Sequence, residues 1–552
     1  RCASAWRRSA AAVAARRIGD AMADATSAPA PIEARSPAGG LLLGSVPRAT
    51  AREVAAAVDR ASEVQRLWAM LRLEDRSRYM ARAAQAVIDE ADELVDLISR
   101  EQGRPRAEVE TMELLPAVET LQWLAEKAPG ILKGERLGFS RTQHPVKRGR
   151  WAYEPLGVIG VLGPAAEPFA TPLGDVAVAL SAGNGVVLKP SPHAALAAER
   201  IARVFARAGI PEGLLRVVHG HADVGGALVD APVAQIRFTG SMRAGRAVAE
   251  SCARQLKRSV LELGGDDAMI VLADANVGRA ARGAAWAAFA NAGQSGGSVG
   301  RAVVLDAVHD RFLERVVAIA AALRVGDPAQ PGTEVGPLVS SERLDRLTAL
   351  VEDAREHGAV VHCGGPVSPS GVRGAFFAPA VVTGVEPGMK LWNEEAPGPV
   401  LVVHRAAAEE EAIRLANASP LGLGASVWTA DRFKGARIAR ELQVGMVWMN
   451  DHLVARSAPQ VPWGGVKGSG FGRARGAVAL RTCAEPKVVT WDPPVGRPAW
   501  WFPYDETLER AARTVLGLRS ARDSDRERAV REGGAALFRQ AGRWARALRS
   551  GR

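Results

Sequence analysis

Glu262 stands before a pair of glycines, in Leu261-Glu262-Leu263-Gly264-Gly265. Upstream, Phe238-Thr239-Gly240-Ser241, with Gly245 four residues further on, reads as a strand end, a tight turn and a helix start. The free N–H groups and positive end of such a helix suit a pyrophosphate. Alone that turn says little, because many strand–helix turns use Gly-Ser for steric reasons. Its place just ahead of Glu262 gives it weight. Thirty-four residues beyond Glu262 lies Gly296, within Asn291-Ala292-Gly293-Gln294-Ser295-Gly296-Gly297, and Ser295 and Ser298 are the nearest hydroxyls. Glu394-Glu395-Ala396-Pro397-Gly398-Pro399 places an acidic pair before a turn, and Lys189-Pro190-Ser191-Pro192 places a lysine at a strand end.

The elements that must carry these residues alternate in a regular way. Gly157–Pro164, Gly185–Pro190, Leu215–Val218 and Gln235–Phe238 are apolar strand candidates separated by Ala-rich helical stretches, the pattern of a parallel sheet. The alternation restarts after Glu262 with Met269–Leu272, a helix over 274–292 and Ala302–Leu305, and continues to about Trp463. Residues 50–128 have a period near 3.6 and read as helices broken by a Gly-Arg-Pro turn at 103–105. Residues 23–48, rich in Ala, Pro and Ser, read as a flexible lead-in. No repeat of short fixed period is present.

At 552 residues the chain needs two or more domains, and 47% hydrophobic with 24% charged residues is an ordinary globular balance. The net charge of +11 resides in the ends: residues 1–21 contribute +4, residues 497–552 contribute +6, and the body only +1. Basic tails on a near-neutral body argue against a nucleic-acid partner. Cys2, Cys252, Cys363 and Cys483 form no C-x-x-C pair, so neither a disulfide framework nor a metal site is expected, and a reducing cytoplasm fits. Residues 1–21 have the Arg/Ala/Ser composition of a transit peptide, but Met22 offers a start for the mature chain. An over-extended reading frame is preferred.

The order of these motifs resembles the active-site core of the aldehyde dehydrogenase superfamily over roughly residues 50–490. The resemblance implies an α/β, aldehyde-dehydrogenase-like fold. Its parts are a Rossmann-type dinucleotide-binding domain (49–131 and 151–262), a second α/β catalytic domain (263–477) and a β-hairpin oligomerisation arm (132–150 and 478–492). A flexible N-terminal segment (1–48) and a basic C-terminal tail (493–552) flank them. Glu262 matches the base of E-L-G-G, which activates the family's thiol or hydrolytic water. Phe238–Ser241 matches F-T-G-S, Lys189 matches the lysine at the adenosine ribose, and Glu395 matches the glutamate at the nicotinamide ribose. The implied coenzyme set is Lys189, Ser191, Gly240, Ser241, Gly245, Leu263, Gly264 and Glu395, with NAD or NADP as coenzyme. Pro192 stands where the family often has a glutamate that repels a 2′-phosphate, so NADP is expected to be tolerated. Pro462–Gly470 resembles the closing P-x-G-G-x-K-x-S-G, within which Lys467 is expected to be structural, as is His452 just before it.

Three positions depart from the pattern. Gly296 occupies the place of the cysteine nucleophile, Ala166 that of the oxyanion asparagine, and Pro397 that of a phenylalanine beside the nicotinamide. A thioester route needs a thiolate that attacks and later leaves, and glycine supplies neither. The expectation is a family member severely impaired in, or inactive for, NAD(P)-dependent oxidation of an aldehyde to an acid. Two readings stay open: a dinucleotide-binding pseudoenzyme kept for regulation or assembly, and an active oxidoreductase or esterase with another nucleophile. A small aldehyde and the dinucleotide are the expected ligands. A homodimer or homotetramer, or a hetero-oligomer with an active relative, is the expected assembly. In the tail, Leu537, Phe538, Trp544 and Leu548 interleave with Arg539, Arg543, Arg546 and Arg549, which suits either a packed helix or a membrane surface.

Overall fold

An uninterrupted apolar run such as Val158–Leu162 predicts a strand covered on both faces. The computed structural model describes residues 29–140, 144, 147–452, 458–492, 494, 501–502 and 504–549, and side chains as far as 542 in the last helix. In it Val158–Leu162, Gly185–Lys189, Asp267–Val271 and Gly424–Trp428 are buried at every position.

Two sheets organise the larger of two compact units, which comprises the described residues up to 133 and residues 153–486. The first sheet has six strands in the order Gly470–Phe471, Arg258–Glu262, Gln235–Thr239, Val158–Leu162, Gly185–Lys189 and Leu215–Val217. All are parallel except the edge strand Gly470–Phe471. The second has seven, with Asp267–Val271 between Val299–Leu305 and Gly424–Trp428, and one antiparallel edge strand, Val360–Val367. Helices cover both sheets. The first of them, Ala51–Ala69, starts at a capping box in which Thr50 and Glu53 satisfy each other's backbone N–H groups.

Three expectations are corrected. Residues 29–48 are not a flexible lead-in: Ile32–Arg35 pairs antiparallel with Leu42–Val46, and Ile32, Ala34 and Val46 are buried, with Ile32 and Val46 beside Ala195. Their alternation of apolar and charged residues carried the strand signal that composition obscured. The helix expected over 274–292 runs only over Val277–Phe289, because Asn291 and Ala292 adopt left-handed backbone with φ of 55° and 51°. Residues 478–482 belong to the helix Gly476–Thr482, whose Ala479 and Leu480 are buried in the main core, rather than to the arm.

The second unit comprises residues 134–152 and the described residues from 487 onward. Glu135–Leu137, Arg148–Pro155 and Ala484–Trp491 make a three-stranded sheet, whose strands fall largely within the two stretches expected to form an arm. The helices Glu506–Leu518 and Asp523–Arg549 follow. Residues 1–28, including the transit-peptide-like stretch, lie outside the described residues, as do the side chains of Trp544 and Leu548 in the tail.

Candidate active site

Val158–Leu162 is flanked by the next strand in the chain on one side and by Gln235–Thr239 on the other. The winding of the sheet therefore reverses beside it, which opens a crevice at the carboxyl ends of the strands. Those ends deliver residues 163–167, 239–241 and 262–265 to one rim, and an open cleft of about 1270 Å³ lies along it.

Gly240 and Ser241 line this cleft at the start of Met242–Arg254, and the Ser241 hydroxyl caps that helix by accepting from the Ala244 N–H at 3.4 Å. Leu263, Gly264 and Glu395 also line it. Gly245 does not. It lies within the helix, where a Cβ would come 2.3 Å from Leu263 Cδ2, so its smallness lets the helix close on the strand end. Lys189 is buried and donates to the Pro190 carbonyl at 2.9 Å, and burial pulls its ammonium down to about 8. Ser191 caps the short turn Pro192–Ala194, and it is His193 on that turn that reaches the cleft wall.

Glu395 faces the cleft with protein enclosing its other sides. Burial pushes its carboxyl up to about 7, Asp266 adds to the rise and Arg343 opposes it. Arg343, on the helix Ser341–Glu356, reaches Gln294 Oε1 at 3.4 Å, and its neighbour Arg346 pairs with Glu394 at 3.2 Å. Both arginines line the cleft, as does His193. None of the three was singled out from sequence, since a charged residue on a polar helix or turn looks the same whether it meets solvent or a ligand.

Gly296 and Glu262 line both this cleft and a second pocket, whose space with the adjoining open solvent is about 690 Å³, together with Glu167, Thr239 and Leu263. The second cavity has apolar walls from Trp123, Leu124, Val178, Leu423 and Trp463, and Arg475 joins its lining. Position 296 is thus where the two cavities meet. A Cβ there would find Leu263 O and Leu423 Cδ2 no nearer than 3.8 Å, so the site has room for a side chain that the chain does not supply. Ser295 lines the cleft and a third cavity, and Ser298 lines only the third, its hydroxyl donating to Gly293 O at 3.4 Å. Neither hydroxyl lines the apolar cavity. Cys252, Cys363 and Cys483 line none of the three, and burial raises the pKa of each thiol.

The backbone around this meeting point is held by a buried polar network. Arg104, with a fully buried side chain, donates from Nη1 to Glu113 at 2.6 Å, from Nη2 to Ala166 O at 2.9 Å and from Nε to Asn291 Oδ1 at 3.0 Å. The Asn291 amide also donates to Ala166 O at 3.1 Å, while its backbone N–H donates to the Glu108 carboxylate. Ala166 therefore has its carbonyl pinned by two donors, yet offers only a methyl group to the cleft. His452 meets Gly297 O at 3.0 Å, and Lys467 donates to the carbonyls of Asn417 and Ser419. Ser469 donates to Gly264 O at 2.7 Å, and Gly470 pairs with Glu262, so the closing motif braces the Glu262 strand end.

A model of the aldehyde dehydrogenase family matches residues 23–489. The chain is 36% identical over 481 residues to a succinate-semialdehyde dehydrogenase [NADP(+)] of Deinococcus radiodurans, covering 85% of this chain and 96% of that protein. It is 36% identical over 445 residues to a vanillin dehydrogenase of Amycolatopsis, covering 80% and 89%. Among solved structures, an aldehyde dehydrogenase of Mycobacterium tuberculosis complexed with NAD+ superposes with a TM-score of 0.79 at 33% identity, over 83% of this chain and 94% of that one. An NAD+ complex of an aldehyde dehydrogenase from Bacillus cereus gives 0.80 at 30% identity, over 84% and 93%. With this fold, this cleft and these matches, the chain belongs to the aldehyde dehydrogenase family.

Proposed function

We propose that the chain binds NAD or NADP in the large cleft and has lost the family's covalent oxidation of aldehydes. The observation that carries this reading is Gly296: it lines both cavities together with Glu262, a Cβ there would meet nothing nearer than 3.8 Å, and the chain supplies no side chain. Ala166 compounds the loss, since removing a single oxyanion donor costs about 10²–10³ in rate. The cleft itself fits a dinucleotide. The helix start at Ser241 offers N–H groups for phosphate oxygens, Arg343 and Arg346 add positive charge, and Gly264 lets Glu395 sit where it can accept from a ribose hydroxyl. When bound, the nicotinamide supplies a hydride acceptor. Pro192 removes an obstacle to a 2′-phosphate, so either coenzyme is accommodated. Named relatives that use NADP+ or bind NAD+ support the same assignment.

On this reading the retained role is coenzyme binding within an oligomer, homomeric or shared with an active relative. Rescue by a neighbouring serine is disfavoured, because neither Ser295 nor Ser298 lines the apolar cavity. The test is NAD and NADP reduction over a panel of aldehydes by the unaltered chain and by the Ala166→Asn/Gly296→Cys double variant. Silence in the first with activity in the second is the expected result. Turnover by the unaltered chain would sink the reading.

A further inference from the structure

Resting on the reading of Gly296 as the emptied place of the nucleophile, we infer that His452 is a positioning residue for it. Through Gly297 it fixes how position 296 is presented to the two cavities, and Asp267 selects the ring nitrogen that does so. His452 Nε2 lies 3.0 Å from Gly297 O and 3.5 Å from Asp267 Oδ2, and both side chains are 1% exposed. A carbonyl oxygen can only accept, so Nε2 carries the proton of this contact. The Asp267 carboxylate faces the same nitrogen and favours that tautomer. On the far side of the ring Nδ1 is buried and has no hydrogen-bond partner among the described residues, so nothing there competes for the proton.

The surroundings hold the pair in place. Asp267, at the start of Asp267–Val271, accepts from the Gly424 N–H through Oδ1 at 2.9 Å. A Cβ on Gly424 would come 2.4 Å from both Asp267 Oδ2 and Trp448 Cζ3, so only glycine lets the carboxylate and the indole close in. The Trp448 ring lies tilted against the imidazole, with 4.7 Å between centroids. Burial raises the pKa of the Asp267 carboxyl, and its contact with His452 opposes the rise. Neither side chain lines any of the three cavities, whereas Gly296 and Gly297 line the apolar one. His452 therefore acts through backbone rather than on a ligand. Two successive carbonyls are engaged by the protein: Gly297 O meets His452, and Gly296 O packs so closely on Gly265 that a Cβ there would come within 2.2 Å of it. Held at both carbonyls, the loop has little freedom to turn position 296 away from the cavities. A histidine that merely filled space beside Trp448 would need its shape and not its donor.

The experiment is maleimide labelling of the folded full chain carrying Gly296→Cys, with the modified peptide identified by mass spectrometry to set aside the native cysteines. It uses neither coenzyme nor turnover, so aldehyde oxidation by the unaltered chain would sink the proposed function and leave the labelling result standing. Adding His452→Leu, which keeps bulk and removes the donor, should slow labelling about tenfold, the scale of one lost hydrogen bond. His452→Gln, whose amide can donate to Gly297 O, should label within about twofold of the Gly296→Cys protein. In Asp267→Asn the side-chain oxygen can still accept from Gly424, which turns the amide N–H toward Nε2 and favours the wrong tautomer. Labelling should slow about tenfold at an unchanged melting temperature. Unchanged labelling in His452→Leu or in Asp267→Asn would overturn the assignment, as would His452→Gln labelling as slowly as His452→Leu. A thiol inert in the folded Gly296→Cys protein would also overturn it, since position 296 would then not be presented to the cavities. Should His452→Leu fail to fold, His452→Gln and the isosteric Asp267→Asn decide.

Discussion

The carboxylate of Glu395 presses against the backbone of Gly264: a Cβ at position 264 would sit 2.1 Å from Glu395 Oε2. Gly264 is therefore required by a close approach, and no left-handed backbone is involved. The intruding atom would meet the end of a flexible side chain, which can swing aside. Gly264→Ala should thus leave the fold intact and displace Glu395 from the cleft. NADH affinity is expected to fall about tenfold, as it would on losing a charge-assisted hydrogen bond, with a similar loss in Glu395→Gln. Fluorescence titration with NADH checks this, and an unchanged Kd in both variants would remove Glu395 from the coenzyme site.

Burial, reinforced by Asp266, pushes the Glu395 carboxyl up to about 7. A ribose hydroxyl donates more strongly to the ionised form, so dinucleotide binding favours the deprotonated state. As pH falls through about 7 the ionised fraction falls, and affinity should weaken by up to about tenfold per unit. By reciprocity a bound dinucleotide holds the carboxyl lower. In Glu395→Gln the slope near pH 7 should vanish, and NADH titrations from pH 5.5 to pH 8.5 (roughly the span over which such a group titrates) will show whether it does.

Much of this fold was legible because its signals are local. Uninterrupted apolar strands, the glycine turn at 240 and the carboxylate before Gly264-Gly265 each lie within a few residues of sequence. The Ile32–Arg35 hairpin strand was also written locally, in its alternation, and was masked by the Ala/Pro/Ser composition around it. Other features have no local trace. Arg104 joins Glu113, Ala166 and Asn291 through contacts that span up to 187 positions, and nothing in Gly-Arg-Pro distinguishes that buried hub from a surface turn. Arg343, Arg346 and His193 reach the cleft only because their helix and turn dock against it. The halt of the helix at Phe289 depends on left-handed backbone at Asn291 and Ala292, and the Glu108 carboxylate that accepts from the Asn291 N–H lies 183 positions away.

Pro192 opens the turn that carries His193 into the cleft wall, so position 192 itself presents no carboxylate to repel a phosphate, while Arg343 and Arg346 line the same cleft with Glu342. NADPH should therefore bind within about a hundredfold of NADH. Restoring a carboxylate with Pro192→Glu should weaken NADPH by at least about tenfold and leave NADH nearly unchanged, since like charges brought together cost several kcal/mol at a recognition site. Competitive titration of the two coenzymes measures both values. NADPH more than a hundredfold weaker in the unaltered chain would mean that another group discriminates.

Gly293 and Gly296 are three residues apart and should respond oppositely to a side chain. Gly293 has φ of +67°, and a Cβ on it would lie 2.3 Å from the Gly398 carbonyl oxygen, a backbone atom that cannot swing away. Gly293→Ala should cost about 2 kcal/mol or more, from strain and overpacking together. Gly296 has no such φ, and a Cβ there has contacts no closer than 3.8 Å. Gly296→Cys should therefore keep its stability within about 0.5 kcal/mol, as substitutions without a clash do. Its thiol opens onto both cavities and should react readily with maleimide in the folded state. Chemical denaturation supplies the first comparison and labelling kinetics the second. If Gly296→Cys were as unstable as Gly293→Ala, or its thiol inert until unfolding, the loop would have closed over the position. Loss of the nucleophile would then be one part of a wider remodelling, and the double variant could not restore turnover.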